Sequence, residues 1–340
     1  MKQIHEIGLL LYVAAFGCAG VTPSPEEQQN ETKEQQASEH EDALVPDASP
    51  LVKRGERYMS IGELGEASAS FRSAIIENAQ DARAYFDLGL VLELQGQPQL
   101  AIPEYQEAER LLPQFVQAKN NLAVLLREQG NLRRAQELLS DAVKIDPTYG
   151  DAWLNLALSF EDSRQLDKAK VAYQRAIKLL PSDPLPLTNL ALIELAANDV
   201  NAAKTKLQKA YPLARNDAQM LIEIASGLRR AGDAALAVRV LGNVKTLLKE
   251  LPPAVLAELA IAQHANGASE QSLATLDELE KKDSKYTAVH YFRGSILAAM
   301  GSYAKAAQSF RRYLKQEPKG AFTEKSKAHL EEIQRLQKNK

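Results

Sequence analysis

Residues in this chain recur at intervals of 34. Taking Gly89 as reference, Tyr85, Leu88, Gly89, Leu92, Gly96, Ala101, Tyr105, Ala108 and Pro113 fill positions 4, 7, 8, 11, 15, 20, 24, 27 and 32 of a repeating unit. One period on stand Lys119, Leu122, Ala123, Leu126, Gly130, Ala135, Leu139, Ala142 and Pro147, and after another come Trp153, Leu156, Ala157, Phe160, Arg164, Ala169, Tyr173, Ala176 and Pro181. Such a period means stacked modules, none of which buries its apolar face alone. Positions 4, 7, 8 and 11 fall on one face of a first helix, and 20, 24 and 27 on one face of a second. Ala or Gly at positions 8 and 20 lets the two backbones approach closely. Gly at position 15 ends the first helix in the left-handed region, which Asn198 tolerates and Arg164 reaches with modest strain. Pro at position 32 stops the second helix.

The register extends both ways. Gly55, Tyr58, Gly62, Ala67, Phe71 and Ala74 precede it, Gly294, Leu297, Gly301, Ala306, Phe310 and Pro318 close it, and weaker copies lie between. Eight units follow, at 48–81, 82–115, 116–149, 150–183, 184–217, 218–252, 253–286 and 287–320, with residues 321–340 as a capping helix. In that cap Phe322, Leu330, Ile333 and Leu336 are expected to face the eighth unit. Pro212 falls inside the expected second helix of unit five, and Pro252-Pro253 coincides with a one-residue insertion that is either a bend or a loop irregularity without consequence.

These positions resemble the tetratricopeptide repeat, whose signature is Trp-x2-Leu-Gly-x2-Tyr, then Ala-x3-Phe, then Pro. The resemblance covers about four-fifths of the chain and implies an all-α, right-handed α-solenoid of about eight helix pairs plus the C-terminal capping helix.

The N-terminus reads differently. Residues 1–17 form a leader whose apolar stretch, Ile7 to Phe16, is too short to span a bilayer. Ala15-Phe16-Gly17-Cys18 resembles the bacterial lipoprotein lipobox, with Ala and Phe as departures from it, and this implies lipidation at Cys18. The alternative is an ordinary signal peptide cut near Gly20. Residues 18–47 are rich in Glu, Gln, Ser and Pro, with eight acids against Lys33, and are expected to form a disordered acidic tether.

Catalytic chemistry has no foothold in the sequence. No HExxH, GxSxG, P-loop or GxGxxG pattern occurs, and a lone cysteine forbids an intramolecular disulfide. His264, His290 and His329 are scattered without metal-ligand spacing. The reading is therefore no enzyme, no cofactor and no metal. Lys and Arg number 41 against 44 acids, which leaves no excess charge for nucleic-acid phosphates.

What remains is binding. In proteins of the resembled family the first helices line a concave groove through positions 2, 5, 9 and 12. Here those positions give Phe86, Leu90, Asn120, Val124, Leu154, Leu158, Leu185, Thr188, Leu192 and Leu195 as a candidate surface for a partner helix or extended segment. Packing of Leu158 and Leu192 against the next unit is the competing account. Asn121, Asn155 and Asn189 recur at position 6 and resemble an asparagine ladder that holds a peptide backbone; plain inheritance of the repeat consensus explains them equally. Toward the C-terminus the groove positions become mixed, with Ile222, Ser226, Arg229, Ala257, His264 and Tyr291.

The expected function is a non-enzymatic scaffold, lipid-anchored at the bacterial outer membrane on its periplasmic face. It would bind a protein partner in the groove and assemble or regulate a cell-envelope machine for pilus assembly or secretion, gliding motility or peptidoglycan synthesis. This follows its resemblance to outer-membrane tetratricopeptide lipoproteins of the pilotin and adaptor type. The alternative is a periplasmic holdase-like chaperone. Sequence leaves the oligomeric state open.

Overall fold

The computed structural model describes residues 48–338. The leader, Cys18 and the tether to residue 47 lie outside the described residues. Within them the chain is all helical, with seventeen helices in two compact bodies that divide at Leu179 and Leu180.

The N-terminal body holds four helix pairs: α1 (Pro50–Ser60) with α2 (Leu64–Glu77), α3 (Ala82–Leu94) with α4 (Pro98–Leu111), α5 (Val116–Glu128) with α6 (Leu132–Ile145), and α7 (Gly150–Asp162) with α8 (Leu166–Leu179). The C-terminal body holds α9 (Pro184–Ala196) with α10 (Val200–Ala210), α11 (Ala218–Arg230) with α12 (Ala234–Leu248), α13 (Pro253–Ala265) with α14 (Ser269–Lys282), α15 (Ala288–Ala299) with α16 (Tyr303–Gln316), and a last helix α17 (Thr323–Lys338). This is the repeat solenoid the 34-residue period requires.

Each first helix ends at the same device. At position 15 Gly62, Gly96, Gly130, Gly232, Gly267 and Gly301 take φ between 72° and 82°. The Gly96 N–H bonds to Glu93 O and the Gln97 N–H to Leu92 O, the paired contacts that close a helix C-terminus. Arg164 and Asn198 occupy the same corner at φ 60° and 64°, so the turn is imposed by the fold even where no glycine eases it. Helix starts are fixed by carboxylates: Asp81, Asp199, Asp217 and Asp233 each accept a backbone N–H three residues on.

Pair geometry follows from complementary volumes at positions 8 and 24. Gly55, Gly89 and Gly294 each lie under an aromatic ring, that of Phe71, Tyr105 and Phe310 respectively. Where position 8 is Ala, as in Ala123, Ala191, Ala225 and Ala260, position 24 is Leu. Ala157 opposite Tyr173 is the exception; the Tyr173 hydroxyl donates to Glu161 at 2.6 Å.

The first pair differs from those that follow it. Positions 3, 7 and 10 of the next three first helices are buried, as Ala84, Leu88 and Val91, then Ala118, Leu122 and Leu125, then Ala152, Leu156 and Ser159. In α1 the same positions are Pro50, Arg54 and Arg57, all exposed. Polar residues thus stand where a preceding pair would dock.

At the other end α17 covers the last pair. Phe322 stacks on Tyr291 at 4.3 Å and 7°, His329 lies over Phe310 at 5.0 Å and 11°, and Ile333 is buried. Leu336, expected to join them, is 41% exposed. Pro212 shortens α10, which stops at Ala210. After α12, Lys249 takes φ 59° just before Pro252-Pro253. The insertion is therefore absorbed by a residue in the left-handed region, where a non-glycine side chain is strained.

Candidate functional site

The first helices of the N-terminal body carry the residues singled out in the sequence, and they divide into fillers and exposed members. Asn120 is 5% exposed and Leu154 8%, so both sit inside the wall rather than on it. Phe86 is half-buried, its ring 4.7 Å from Phe115 and 5.7 Å from Tyr105. Leu90 packs against the same core. Val124 and Leu158 are half-buried and lie outside that core cluster, which makes them the apolar members with surface to offer.

The asparagines do not stand as independent rungs. Asn155 Nδ2 donates to Asn120 Oδ1 at 2.9 Å, and Asn120 Nδ2 donates to Asn121 Oδ1 at 3.2 Å. Asn121 also contacts the Tyr105 hydroxyl, which donates to Glu93. Burial, then the Glu93 charge, holds the Tyr105 phenol well above its ordinary pKa. Asn120 is buried and spent within the line, whereas the half-buried Asn121 and Asn155 keep an N–H and an acceptor lone pair beyond these bonds, so a guest peptide group can add to them without dismantling the line.

Beside this line lies a charged corner missing from the sequence expectation. Asp87 stands at position 6 of α3, the place Asn121, Asn155 and Asn189 hold in the next three repeats. It is 5% exposed. Arg83 Nε and Nη2 both bond to Glu56 Oε1, at 3.1 and 2.8 Å, while Arg83 Nε reaches Asp87 Oδ2 only at 3.8 Å. Burial pushes the Asp87 carboxyl up to about 8, against a smaller downward pull from Arg83. The 34-residue spacing was the signal that could have marked this residue: it takes the place that three successive amides, Asn121, Asn155 and Asn189, hold in the repeats that follow it, and that Lys53, Glu223, Glu258 and Phe292 fill in the others.

Two further charges sit in the wall. Lys119, where the two flanking repeats place Tyr85 and Trp153, is buried with Nζ 2.8 Å from Glu109. Arg127 Nε lies 3.6 Å from Asp162.

In the C-terminal body Leu185, Asn189, Leu192 and Leu195 are half-buried on α9. A Cβ on Gly227 of α11 would lie 3.6 Å from Leu192 Cδ2, so Leu192 packs onto that helix. Arg229 crosses from α11 to Glu258 of α13, with Nε 2.6 Å from Oε1. His264 Nδ1 pairs with Ser269 at 2.8 Å. Tyr291, placed by sequence among the groove positions, is instead taken up by the stack under α17. His290 is buried, and that burial lowers its pKa. Among the described residues no group of three His, Cys, Asp or Glu converges as a metal site.

Comparison with known proteins adds the following. The model of the tetratricopeptide repeat family matches residues 52–114, 120–184 and 257–321, more than half of the chain. PilF of Pseudomonas aeruginosa is similar in structure, with TM-score 0.54 and 20% identity over 67% of this chain and 98% of that one. A chain of the APC/C hetero-tetramer Cut9–Hcn1 matches with TM-score 0.51 and 17% identity over 88% of this chain, which spans 59% of that chain's length. At such identities the likeness concerns the fold. The search of curated protein sequences returned no match.

Proposed function

The chain belongs to the tetratricopeptide repeat family, a fold of protein-interaction scaffolds, and from that premise we propose that it holds a protein partner on its first-helix wall while anchored to a membrane through Cys18. The anchor is a lipidated Cys18, the location the periplasmic face of a bacterial outer membrane, and the role that of assembling or regulating an envelope machine. Residues 18–47 give the body reach from that surface.

The observation that carries the binding half is the contrast between the two helix faces. On the second helices, position 29 is basic and exposed in five of the eight repeats, as Arg110, Lys144, Lys178, Lys281 and Lys315, with Ile76 the exposed apolar exception in the first. On α3, α5 and α7 of the N-terminal body, position 9 shows Leu90, Val124 and Leu158 beside a line of amides, with Glu56 at that place on α1. Apolar side chains flanked by hydrogen-bonding groups suit another polypeptide.

A photoreactive residue at position 124 will cross-link the partner in living cells. Leu158→Asp removes that cross-link while helical circular dichroism stays unchanged. Loss of helicity would instead show Leu158 to be structural, and an undiminished cross-link would remove it from the interface.

The anchor is tested separately. Cys18→Ser is expected to move the protein from the membrane fraction to the soluble one. Unchanged membrane retention would reject lipidation at this residue.

A further inference from the structure

Position 6 of the first helix is Asn in repeats three and four of the N-terminal body and Asp87 in repeat two. An amide is accommodated at this place in the neighbouring repeats, so the repeat architecture does not demand a carboxyl there. The carboxyl is also poorly served: Asp87 is 5% exposed, and its Oδ2 makes no hydrogen bond. Among the described residues the cation that reaches it is Arg83, which gives two hydrogen bonds to Glu56 and leaves 3.8 Å to Asp87. Two carboxyl groups share one guanidinium. Asp81 on the approach to α3 adds negative charge, and Tyr105 with its Glu93 partner closes the side toward α4. A buried polar group left unsatisfied costs about 1–3 kcal/mol. Local rules broken at such expense are characteristic of positions kept for function. Glu56 and Arg83 fall at positions 9 and 2 of the first helices, with side chains 30% and 26% exposed, so this corner opens on the wall where the partner is placed.

We propose that this corner receives a cationic side chain, Lys or Arg, from the bound partner, with Asp87 Oδ2 as its hydrogen-bond acceptor and Glu56 as the second carboxylate. The inference rests on the wall being the partner surface and adds the chemistry of one contact. A guest cation satisfies the orphaned oxygen and adds positive charge beside the carboxyl groups of Asp87 and Glu56. Arg83, partly exposed above Asp87, shifts to admit it. Because burial keeps the Asp87 carboxyl protonated up to about 8, docking the cation displaces a proton. Affinity therefore rises with pH between about 6 and 9.

The test pans a phage-displayed library of random dodecamer peptides on the full chain near pH 8. Retained peptides should share a Lys or Arg, and a synthetic peptide with that residue replaced by Ala should bind roughly tenfold more weakly, the size of one charge-assisted hydrogen bond. Asp87→Asn should impose a similar loss on the parent peptide, leave the Ala peptide's affinity alone and flatten the pH dependence. Retained peptides without a basic preference, or a preference that survives in both Asp87→Asn and Glu56→Gln, would overturn the cation site while leaving the wall intact. No retained peptide at all would reject the wall together with it.

Discussion

Replacing Gly89 by Ala lowers the stability of the N-terminal body, and adding Tyr105→Leu to the same chain recovers part of the loss. Two effects oppose each other here. In a helix interior Ala is favoured over Gly by about 1 kcal/mol. Against this, a Cβ at position 89 would lie 2.5 Å from Tyr105 Cε1 and 2.8 Å from Cδ1, on a ring that is fully buried. Overpacking of a core costs about 1–3 kcal/mol, and a buried tyrosine held by Glu93 has little room to yield. The clash wins, with a net loss of up to about 2 kcal/mol. The double variant recreates the Ala–Leu pairing of Ala123 with Leu139, at the expense of the Tyr105 hydroxyl bond. Urea midpoints of the parent, both single variants and the double variant give the coupling directly. A Gly89→Ala midpoint at or above the parent's, or singles whose effects simply add, would disprove the account of positions 8 and 24.

Asp87→Asn should stabilise the body at neutral and alkaline pH, and by more than a surface change can. The folded carboxyl titrates near 8 and an ordinary aspartate near 3.8. Between those values the folded state binds the extra proton, so the favourable contribution is complete below the lower value and is lost as pH rises through the higher one. At about pH 9 the parent buries a charge that the amide variant lacks, and the difference is on the order of 3 kcal/mol. It shrinks toward acid. Thermal or urea unfolding of both proteins across that range measures it. Parallel pH profiles for the two would show that Asp87 is better solvated than its surroundings indicate. If the cation site is correct, the same substitution trades recognition for stability.

Helix positions were legible in the sequence because they depend on single residues acting locally. Gly at position 15, the small residues at positions 8 and 20 and Pro at position 32 each carry their cause in their own chemistry. The wall was less legible because exposure there depends on what the adjacent helix contributes. Asn120, Leu154 and Thr188 occupy a groove position yet are covered. Leu192 lies within ordinary contact distance of the Gly227 site on α11, which takes up part of its surface. Tyr291 follows the same register as Phe86, but α17 supplies Phe322 and turns it into a stacking platform. Asp87 shares with Asn121, Asn155 and Asn189 a place in the repeat but not a side-chain type, so residue chemistry alone does not group it with them.

Modules that stack through like surfaces are, by construction, able to add without limit, copy upon copy, into fibres. Here Arg54 and Arg57 put charge where α1 would accept a predecessor, and α17 occupies the place of a successor at the opposite terminus. A second molecule arriving at either end would have to strip solvated guanidinium groups or dislodge a bound helix before finding apolar surface. The array is thereby kept at finite length, and crowding many copies into a small space does not by itself set off filament growth.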